Sequence, residues 1–440
     1  MKKCRVSEMS WLELESVPAH WEMCRLKDYT STNTGITFTK ANLVDCGNAV
    51  LSYGQIHAKN NPTTQINHEL IRFIPDSLVN DKLSSKVKQG DFIFADTSED
   101  LKGCGNCIYI NEPIDLYAGY HTILLRNEGL GCGKYFAYLF MSDQWRSQIR
   151  KKVKSVKLYS ITQGILKQAF IVVPPIKEQE AIAAYLDKEC EKIGRKIELL
   201  ERKADAYSRL RRSLINRAVT RGLNPNVSLK PSTIEWVGDI PVHWTISRFA
   251  YFFAEHNISN KGVNHQNLLS LSFGKIIRKN IDSCDGLLPA SFETYQIVEP
   301  GNIVFRFTDL QNDHKSLRVG LVNEEGIITS AYTCVQGNKE TLPKFAFYML
   351  HSYDIKKVFY KLGGGMRQSL NYRTIKDMKV VFPPIEEQKE IAAYLDEKCA
   401  KIDVILEKIN TEVERLKELK RSLINEVVTG QRVIDTESHS

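Results

Sequence analysis

Residues 174–220 read PPIKEQEAIAAYLDKECEKIGRKIELLERKADAYSRLRRSLINRAVT, and residues 383–429 read PPIEEQKEIAAYLDEKCAKIDVILEKINTEVERLKELKRSLINEVVT. The two stretches align without a gap at an offset of 209 residues, and 23 of their 47 positions are identical. Self-similarity of this kind is typical of an internally duplicated chain. The order along the chain is therefore variable segment, repeated stretch, variable segment, repeated stretch.

Each repeated stretch is predicted to be one long helix. A Pro-Pro pair stops the strand-like runs at residues 170–173 and 380–382, and good helix formers without an internal proline follow. Apolar side chains recur at every seventh position, which is typical of a coiled-coil seam. The predicted seam consists of Leu186, Ile193, Leu200, Tyr207 and Leu214 in the first copy and Leu395, Ile402, Ile409, Leu416 and Leu423 in the second.

The length of these helices limits how they can pack. A helix over residues 177–220 is about 66 Å long at 1.5 Å per residue, which is too long to be buried within one compact domain. We therefore expect the two helices to pack antiparallel on each other as a rod. The variable segments would then lie at its two ends, in a pseudo-two-fold arrangement.

The variable segments are predicted to be mixed α/β (α+β) domains, because short apolar runs alternate with Gly, Asn and Asp. Strands are expected at residues 92–95, 108–110, 122–125, 303–307 and 319–322, and helices near 135–150 and 343–362. The resulting domain assignment is 1–172 and 223–381 for the variable segments, 173–222 and 382–432 for the helices, and 433–440 for a tail.

The variable segments also correspond to each other, but loosely. Three short matches are visible: Pro18-Ala19-His20-Trp21 with Pro241-Val242-His243-Trp244, Phe136-Ala137 with Phe345-Ala346, and Gly90-Asp91 with Gly301-Asn302. The two histidines sit between Pro and Trp, where packing at the entry of each domain is a better interpretation than catalysis.

Composition narrows the class of protein. The formal net charge of +8 suits a polyanionic partner, although such an excess is common in other proteins. No apolar run approaches the roughly 20 residues that span a bilayer, and the first residues lack the apolar core of a signal peptide. We expect a cytoplasmic protein, no contact with a membrane, and free thiols for the ten scattered cysteines.

Three motifs carry a resemblance. Each helix opens with Pro-Pro-Ile-x-Glu-Gln-x-x-Ile-Ala-x-Tyr-Leu-Asp and closes with Arg-Ser-Leu-Ile-Asn at residues 212–216 and 421–425, and the second variable segment opens with WVGDIPVHW at 236–244. On these motifs the chain resembles, over its whole length, the specificity (S) subunit of type I restriction-modification systems. The first copy departs from the opening pattern, because Trp11 lies farther from Pro18 than Trp236 does from Pro241.

The resemblance implies a sequence-specific double-stranded DNA-binding subunit with no active site of its own. Each variable segment would be a target-recognition domain, and the helices would space the two domains and bind methyltransferase (M) subunits. Because the variable segments differ, the target is expected to be asymmetric and bipartite, with half-sites roughly 34 Å apart, one helical turn. Duplication predicts two M subunits, with restriction (R) subunits joining through the complex. S-adenosylmethionine, ATP and Mg are expected on those partner subunits.

Candidate DNA contacts are polar and basic side chains in the variable segments. Lysine and arginine are natural phosphate partners, and Arg, Asn and Gln read base edges. The candidates are Tyr53, Gln55, Lys151, Lys152, Lys154, Lys157, Lys275, Arg278, Lys279, Arg306, Gln311, Asn312, Arg367 and Gln368. For each of them a solvated surface side chain is the alternative.

Catalytic and metal motifs are weak. Cys104-Gly105-Asn106-Cys107 has zinc-knuckle spacing, but no second pair follows, so unpaired thiols are the better interpretation. Val173 and Phe382 precede the Pro-Pro pairs where an amino-methyltransferase needs Asn or Asp, and no phosphate-cradling glycine loop is present. Glu418-Leu419-Lys420 has a nuclease-like spelling but lies on a charged helix face. The alternatives left open are a self-contained DNA methyltransferase or nuclease, and a coiled-coil scaffold without a DNA role.

Overall fold

A computed structural model describes residues 17–155, 157–280, 291–310, 313, 316–362 and 370–434. The chain forms two compact units. The described residues up to Leu200 and from Thr411 onward form unit 1, and those between Glu201 and Asn410 form unit 2. Each unit therefore combines one variable segment with parts of both repeated stretches.

Unit 1 begins with short strands and helices and leads into a long helix. Its strands are β1 (Glu22–Arg25), β2 (Thr30–Thr34), β3 (Asn48–Leu51), β4 (Arg72–Ile74), β5 (Phe92–Ala95), β6 (Thr97–Ser98), β7 (Cys107–Tyr109), β8 (Leu116–Ala118), β9 (Thr122–Asn127), β10 (Lys154–Ser155), β11 (Tyr159–Ser160) and β12 (Phe170–Val173). Its helices are α1 (Tyr53–Ile56), α2 (Gly133–Met141), α3 (Asp143–Arg150), α4 (Gln163–Lys167) and the first part of α5 (Ile176–Arg221).

Unit 2 repeats this plan. Its strands are β13 (Leu229–Pro231), β14 (Asp239–Pro241), β15 (Thr245–Arg248), β16 (Phe253–Glu255), β17 (Ile258–Ser259), β18 (Leu269–Ser272), β19 (Lys275–Arg278), β20 (Gln296–Val298), β21 (Ile303–Phe305), β22 (Val319–Leu321), β23 (Gly326–Ile328), β24 (Thr333–Gly337) and β25 (Lys379–Phe382). Its helices are α6 (Phe249–Phe252), α7 (Pro343–Ile355), α8 (Val358–Lys361), α9 (Tyr372–Ile375) and the first part of α10 (Ile385–Val428).

The sheets of the two units share one topology. Unit 1 has an antiparallel sheet in the order β2-β9-β5-β7, and unit 2 has one in the order β16-β24-β21-β22. The strand that follows the Pro-x-His-Trp motif of each variable segment, β1 or β15, pairs antiparallel with the last strand, with Glu22 opposite Val173 and Thr245 opposite Phe382. This pairing brings the entry of each segment next to the Pro-Pro pair that starts the long helix. The two α/β segments and the duplication are thus confirmed.

Both predicted helices within the variable segments are interrupted. The helix expected near residues 135–150 divides into α2 and α3 at Ser142, whose Oγ accepts a 3.2 Å hydrogen bond from the Trp145 amide and so caps α3. The helix expected near 343–362 ends at Ile355, and Lys357, with φ of 59°, separates α7 from α8. Helical structure is confirmed in both places, and a cap or a left-handed residue divides each stretch into two helices.

The two long helices have definite ends. α5 starts directly after Pro174-Pro175 and α10 after Pro383-Pro384, and neither helix contains proline. Gly222 follows α5 with φ of 71°, and Gly430 follows α10 with φ of 79°, the left-handed conformation that glycine adopts most easily at a helix end. Among the described residues, no helix is both long and apolar enough to cross a membrane.

In unit 1 the start of α5 packs against the end of α10. Leu186 and Leu423 belong to one buried core, and Lys196 Nζ lies 2.9 Å from Glu412 Oε1. Residue numbers rise along one helix while they fall along the other, so the pair is antiparallel. The same core contains the aromatic side chains of α2 and α3, including Trp145. The helix ends therefore complete the core of the variable segment.

In unit 2 the end of α5 packs against the start of α10. Ile215 and Leu395 share a buried core with Trp244, and Arg211 Nε lies 3.5 Å from Asp403 Oδ1. This pair is antiparallel as well, as expected for the two helices. Each variable segment is thus closed by the beginning of the helix that follows it and by the end of the other helix.

The predicted seam differs in burial between the two helices. All five seam residues of α10 are buried, whereas only the first one in α5 is buried and the other four are half-buried. The buried residues are Leu186, Leu395, Ile402, Ile409, Leu416 and Leu423, and the half-buried ones are Ile193, Leu200, Tyr207 and Leu214.

The match of Phe136-Ala137 with Phe345-Ala346 is shifted by one residue. In the structure Lys134 and Lys344 pair with Asp187 and Asp396, the equivalent aspartates of the two long helices. Equivalent positions in α2 and α7 are therefore 210 residues apart in the sequence, whereas equivalent positions in the two long helices are 209 residues apart. Sequence identity misplaced the match because both helices are rich in interchangeable buried aromatic and aliphatic residues.

The match of Gly90-Asp91 with Gly301-Asn302 is confirmed by backbone geometry. Gly90 and Gly301 have φ of 97° and 95°, a left-handed region that favours glycine. Asp91 and Asn302 are buried and accept hydrogen bonds from the backbone amide three residues before them, at 2.8 and 2.9 Å. The same turn therefore precedes β5 and β21.

Candidate nucleic-acid interface

In unit 1 the Glu-Gln pair that opens α5 holds the variable segment. Trp21 Nε1 donates a 2.9 Å hydrogen bond to Glu178, and His20 Nε2 lies 2.7 Å from the same carboxylate. The neighbouring Gln179 is buried and accepts a 2.9 Å hydrogen bond from the amide of Cys132, which precedes α2. Two adjacent side chains thus fix both the entry of the segment and its main helix.

In unit 2 the opening of α10 makes the same contacts. Trp244 donates to Glu387 over 3.2 Å, and His243 Nε2 lies 2.7 Å from that carboxylate. Gln388 accepts a 2.8 Å hydrogen bond from the amide of Leu342, which precedes α7. The repeated histidines therefore lie at the entry of each domain, in agreement with the packing interpretation.

The closing motif of each helix contacts the variable segment of the other repeat. In unit 1 the Asp143 amide donates a 2.8 Å hydrogen bond to Asn425 of α10. In unit 2 the Ser352 hydroxyl donates a 3.3 Å hydrogen bond to Asn216 of α5. We call the Glu-Gln opening of one helix and the Asn of the other, together, the helix clamp. Each unit has one, so two different segments are held by the same device.

An open concavity of about 580 Å³ lies beside the basic residues of unit 1, and the charged side chains that line it are Glu99, Asp100 and Lys102. Lys154 lies on β10, which pairs with β11, and β11 pairs with β6, whose Thr97 and Ser98 line the concavity. Lys154 and Lys157 are exposed, and Leu158 at the end of this basic hairpin also lines the concavity. The hairpin therefore presents positive charge at the rim. Lys151 and Lys152 follow α3 and are exposed too.

Tyr53 lies in the wall of the same concavity, whereas Gln55 has a structural contact. The Tyr53 ring packs edge-on against His57 and His121, with ring centroids 6.4 and 5.6 Å apart. Gln55 accepts a 3.1 Å hydrogen bond from the Ser52 amide and thereby caps α1. The structure thus brings Tyr53 and the basic hairpin together, and it gives Gln55 a capping contact.

Three further residues of this concavity were missed from the sequence. His57 Nε2 lies 2.8 Å from the Thr97 carbonyl, and Asn106 Nδ2 lies 3.0 Å from His57 Nδ1. Asn106 in turn accepts a 2.7 Å hydrogen bond from Arg146, and Lys102 adds a cation to the lining. Asn106 lies within the Cys104–Cys107 motif, but nothing in the sequence marks these residues as one site, because His57 follows α1 whereas Lys102 and Asn106 lie between β6 and β7.

In unit 2 the candidates Lys275, Arg278 and Lys279 lie on or beside β19 and are exposed. Arg278 forms a bidentate ion pair with Glu324, with Nε 2.7 Å from Oε2. That pair raises the pKa of Arg278 and lowers the pKa of Glu324. Arg278 is therefore already engaged by a carboxylate, whereas the amino groups of Lys275 and Lys279 extend into solvent.

A buried arginine that sequence reasoning missed organises the loop after β21. Arg318 is fully buried, and its guanidinium donates to a set of backbone carbonyls in this loop. The acceptors are Arg306 at 3.1 Å, Thr308 at 2.6 Å, Asp309 at 3.1 Å and Asp313 at 2.6 Å. The candidate Arg306 is half-buried at the start of this loop. The candidates Gln311, Asn312, Arg367 and Gln368 lie outside the described residues.

The CxxC pair has the properties of buried thiols. Cys104 and Cys107 are both buried, and burial raises the pKa of Cys104 and raises that of Cys107 to about 12. A metal-binding cysteine must be a thiolate, which this environment disfavours. Within the described part of the chain, no group of three or more His, Cys, Asp or Glu side chains is arranged to hold a metal ion.

These features define a class of protein: an internally duplicated chain whose two unlike α/β segments are held by the same helix clamp. The family described as "Type I restriction modification DNA specificity domain" matches residues 18–203 and 319–415, which is more than half of the chain. The chain belongs to this family.

Similar proteins agree with the family. The type I restriction enzyme EcoKI specificity subunit of Escherichia coli is 21% identical over 94% of this chain and 90% of that protein. The type I restriction enzyme MjaVIII specificity subunit of Methanocaldococcus jannaschii is 24% identical over 67% of this chain and 69% of that protein. A chain in a solved structure of a type I R-M system matches with a TM-score of 0.67 at 15% identity, over 94% of this chain and 99% of that one. This last likeness concerns the fold.

Proposed function

We propose that this chain is the DNA-recognition subunit of a type I restriction-modification complex and directs its methyltransferase and restriction subunits to an asymmetric, bipartite double-stranded target. The observation that carries the proposal is the repeated helix clamp. One device holds two segments of unlike sequence, so the segments can differ in what they read while their attachment stays the same. Two unlike reading domains suit two unlike half-sites.

In unit 1 we propose that the basic hairpin and the adjacent concavity face DNA. The exposed amino groups of Lys154 and Lys157 suit backbone phosphates, and the ring and hydroxyl of Tyr53 suit base edges, while the amide of Asn106, paired with His57 and Arg146, supports the wall of the concavity. In unit 2 the exposed lysines beside β19 and the loop held by Arg318 have the corresponding roles. These assignments rest on exposure, charge and shared location.

We further propose that the chain has no catalytic step of its own, and that S-adenosylmethionine, ATP and Mg are bound by the partner subunits. Val173 and Phe382, which precede the Pro-Pro pairs, lie in β12 and β25, and the Pro-Pro pairs start helices. That geometry supports a structural role for the motif. Incubation of the purified chain with duplex DNA, Mg and S-adenosylmethionine is expected to give neither methylated nor cleaved DNA, and turnover without partners would contradict the proposal.

Two M subunits are proposed to bind each chain. The repeated stretches give two equivalent helical surfaces, and equivalent surfaces bind identical partners. The mass of the purified complex of this chain with M subunits checks the ratio, and a single M subunit at saturation would be inconsistent with it. That the length of the two helices sets the gap between the half-sites stays a prediction.

A segment exchange tests the function as a whole. Residues 1–172 are replaced by the corresponding segment of another specificity subunit, while Glu178, Gln179 and the rest of α5 are kept. Methylated sites mapped in the presence of M subunits are expected to change in one half only. The matched control exchanges residues 223–381 and should change the other half. A change of both halves in either exchange would refute separate reading by the two segments.

A further inference from the structure

Unit 2 contains an open groove of about 390 Å³ between the β18–β19 hairpin, α7 and α5. Three cationic side chains line it: Arg211 from α5, Lys275 from the hairpin and Lys344 from α7. None of the described lining residues carries a carboxylate. Clefts lined by one sign of charge attract ligands of the opposite sign.

A buried histidine in this groove has an unsatisfied nitrogen. His351 is only 5% exposed, and its Nδ1 has no hydrogen-bond partner among the described residues. Burial and the charge of Arg211 lower the pKa of His351 to about 4. Buried polar atoms are nearly always paired, so an unpaired one beside an open groove indicates a place where a ligand can complete the site.

The acidic residues behind the groove neutralise its cations unequally. Asp396 lies 2.6 Å from Lys344 and accepts a 2.8 Å hydrogen bond from Tyr348. Asp403 is 3.5 Å from Arg211 Nε, which is a long ion pair. Lys275 is exposed at the rim. Arg211 and Lys275 are therefore the cations that a bound anion would meet with the least competition.

The equivalent groove of unit 1 is balanced in charge. It has a volume of about 420 Å³ and is lined by Lys134, Tyr138 and Lys420 at the positions of Lys344, Tyr348 and Arg211. Two carboxylates, Asp187 and Glu191, also line it, and Met141 occupies the position of His351. The duplication thus supplies two related grooves, of which only the unit 2 groove combines a positive lining with a buried histidine.

The rim of the unit 2 groove also presents an aromatic side chain. Phe273 is 73% exposed at the tip of the hairpin, with φ of 46°, and Gly274 follows with φ of 79°. Positive φ at both residues is the geometry of a tight two-residue hairpin turn, so the turn accounts for this backbone and leaves the ring exposed. The exposed ring lies next to exposed Lys275, so the rim combines apolar and positively charged surface, which suits the sugar and phosphate of a nucleic-acid backbone better than a lone carboxylate.

We propose that the unit 2 groove binds a phosphate group of the DNA backbone, with Arg211, Lys275 and His351 as its ligands. Arginine presents a planar fork that matches phosphate oxygens. His351 Nδ1 is closed to solvent in the free protein, and a rotation of the ring on binding would turn it to the phosphate for a further hydrogen bond. This inference deepens the proposed DNA recognition and rests on it for the source of the phosphate.

Inorganic phosphate is the first probe, because it tests the site without DNA. The full chain is titrated with phosphate by calorimetry at constant ionic strength. The wild type is expected to bind phosphate. Arg211→Gln should bind it at least about tenfold more weakly, a loss of about 1.4 kcal/mol in binding free energy. The matched control Lys420→Gln, in the unit 1 groove, should bind phosphate as the wild type does. Lys275→Gln, an exposed rim variant, should weaken binding in the same direction without risk to folding. The proposal would be overturned if the wild type did not bind phosphate, or if Arg211→Gln and Lys275→Gln bound phosphate as tightly as the wild type does.

A spectroscopic readout separates a ligand role from a structural one. The His351 ring is followed by NMR through a pH titration with and without phosphate. A bound anion favours the protonated ring, so the His351 pKa should rise when phosphate is present. An unchanged titration at saturating phosphate would exclude His351 as a ligand.

Duplex DNA then identifies the source of the phosphate. With a mixed-sequence duplex, Arg211→Gln should lower affinity for all sequences alike and reduce the slope of log K against log salt by about 1, and Lys420→Gln should not. If Arg211→Gln loses phosphate binding but keeps DNA affinity and slope, DNA is not the source, and displacement of phosphate by M subunits would assign the site to a protein carboxylate instead. If the wild type binds phosphate but no duplex, the proposed function fails rather than the oxyanion site.

Discussion

Trp21 donates a 2.9 Å hydrogen bond from its indole nitrogen to the carboxylate of Glu178. The two residues are 157 positions apart, and their contact fixes the chain just before β1 to the first turn of α5. The same carboxylate also accepts a 2.7 Å hydrogen bond from His20 Nε2. One side chain thus joins the variable segment to its helix.

Replacing Glu178 by alanine is expected to destabilise unit 1. The indole N–H of Trp21 would lose its acceptor in a mostly buried place, which costs about 1–3 kcal/mol. The change is measured as a lower midpoint in urea denaturation. Glu180→Ala is the matched control, because Glu180 is exposed two positions along the same helix. Equal midpoints for the two variants would show that the carboxylate does not hold the segment.

Arg318 is expected to govern recognition by unit 2 through the loop that it holds. Lysine has one nitrogen and cannot reach four carbonyls, so Arg318→Lys should loosen the loop that begins at Arg306. Methylated sites should then lose selectivity in the half read by unit 2, while the other half stays unchanged. Arg373→Lys, an exposed substitution in the same unit, serves as the control. Relaxation in both halves, or in neither, would contradict a role confined to this loop.

The long helices could be predicted because their signal is local. A seven-residue apolar repeat after Pro-Pro needs no knowledge of the rest of the chain, and the predicted residues 177–220 differ from α5, Ile176–Arg221, by one residue at each end. The antiparallel pairing followed from helix length. What the sequence did not reveal is that the start of one helix and the end of the other close the same variable segment. That arrangement depends on contacts such as Asn425 with Asp143, which no local pattern encodes.

The candidate site was less predictable than the fold. Exposed basic residues such as Lys154 and Lys157 are easy to propose, because charge in a loop is visible in the sequence. Gln55 was proposed as a DNA contact, yet it caps α1, and a short capping sequence looks the same as a polar contact loop. Arg318 carries no signal at all, because a buried arginine becomes intelligible only when the carbonyls around it are known.

Asp354 is expected to make stability depend on pH in unit 2. Burial raises its pKa to about 6 from 3.8, so the folded state keeps its proton at pH values where the unfolded chain has lost it. Stability should therefore fall as pH rises from about 4 to 6 and change no further above that range, by about 1–3 kcal/mol in total. The free energy of unfolding of the wild type is compared with that of Asp354→Asn at each pH.

The comparison with Asp354→Asn removes an opposing contribution from His351. The pKa of His351 is lowered to about 4, so the unfolded chain gains a proton below about pH 6.5 that the folded chain does not. Its contribution to stability therefore falls as pH decreases, the reverse of Asp354. Both proteins contain His351, so their difference isolates the aspartate. A difference that does not vary between pH 4 and 6 would show that Asp354 is ionised in the folded state throughout.

A glycine inside α5 and a glycine just after α10 are expected to respond to alanine in opposite ways. Gly194 lies inside α5, and a Cβ there would meet no atom within 4 Å, so Gly194→Ala should stabilise the protein by about 0.5–1 kcal/mol through reduced backbone entropy of the unfolded chain. Gly430 has φ of 79°, and a Cβ there would lie 2.2 Å from Pro18 Cδ. Gly430→Ala should therefore cost about 2 kcal/mol or more, because a left-handed conformation and a clash with a rigid ring act together. Urea midpoints of the two variants measure the effects, and a Gly430→Ala protein as stable as the wild type would mean that the end of α10 does not pack against Pro18.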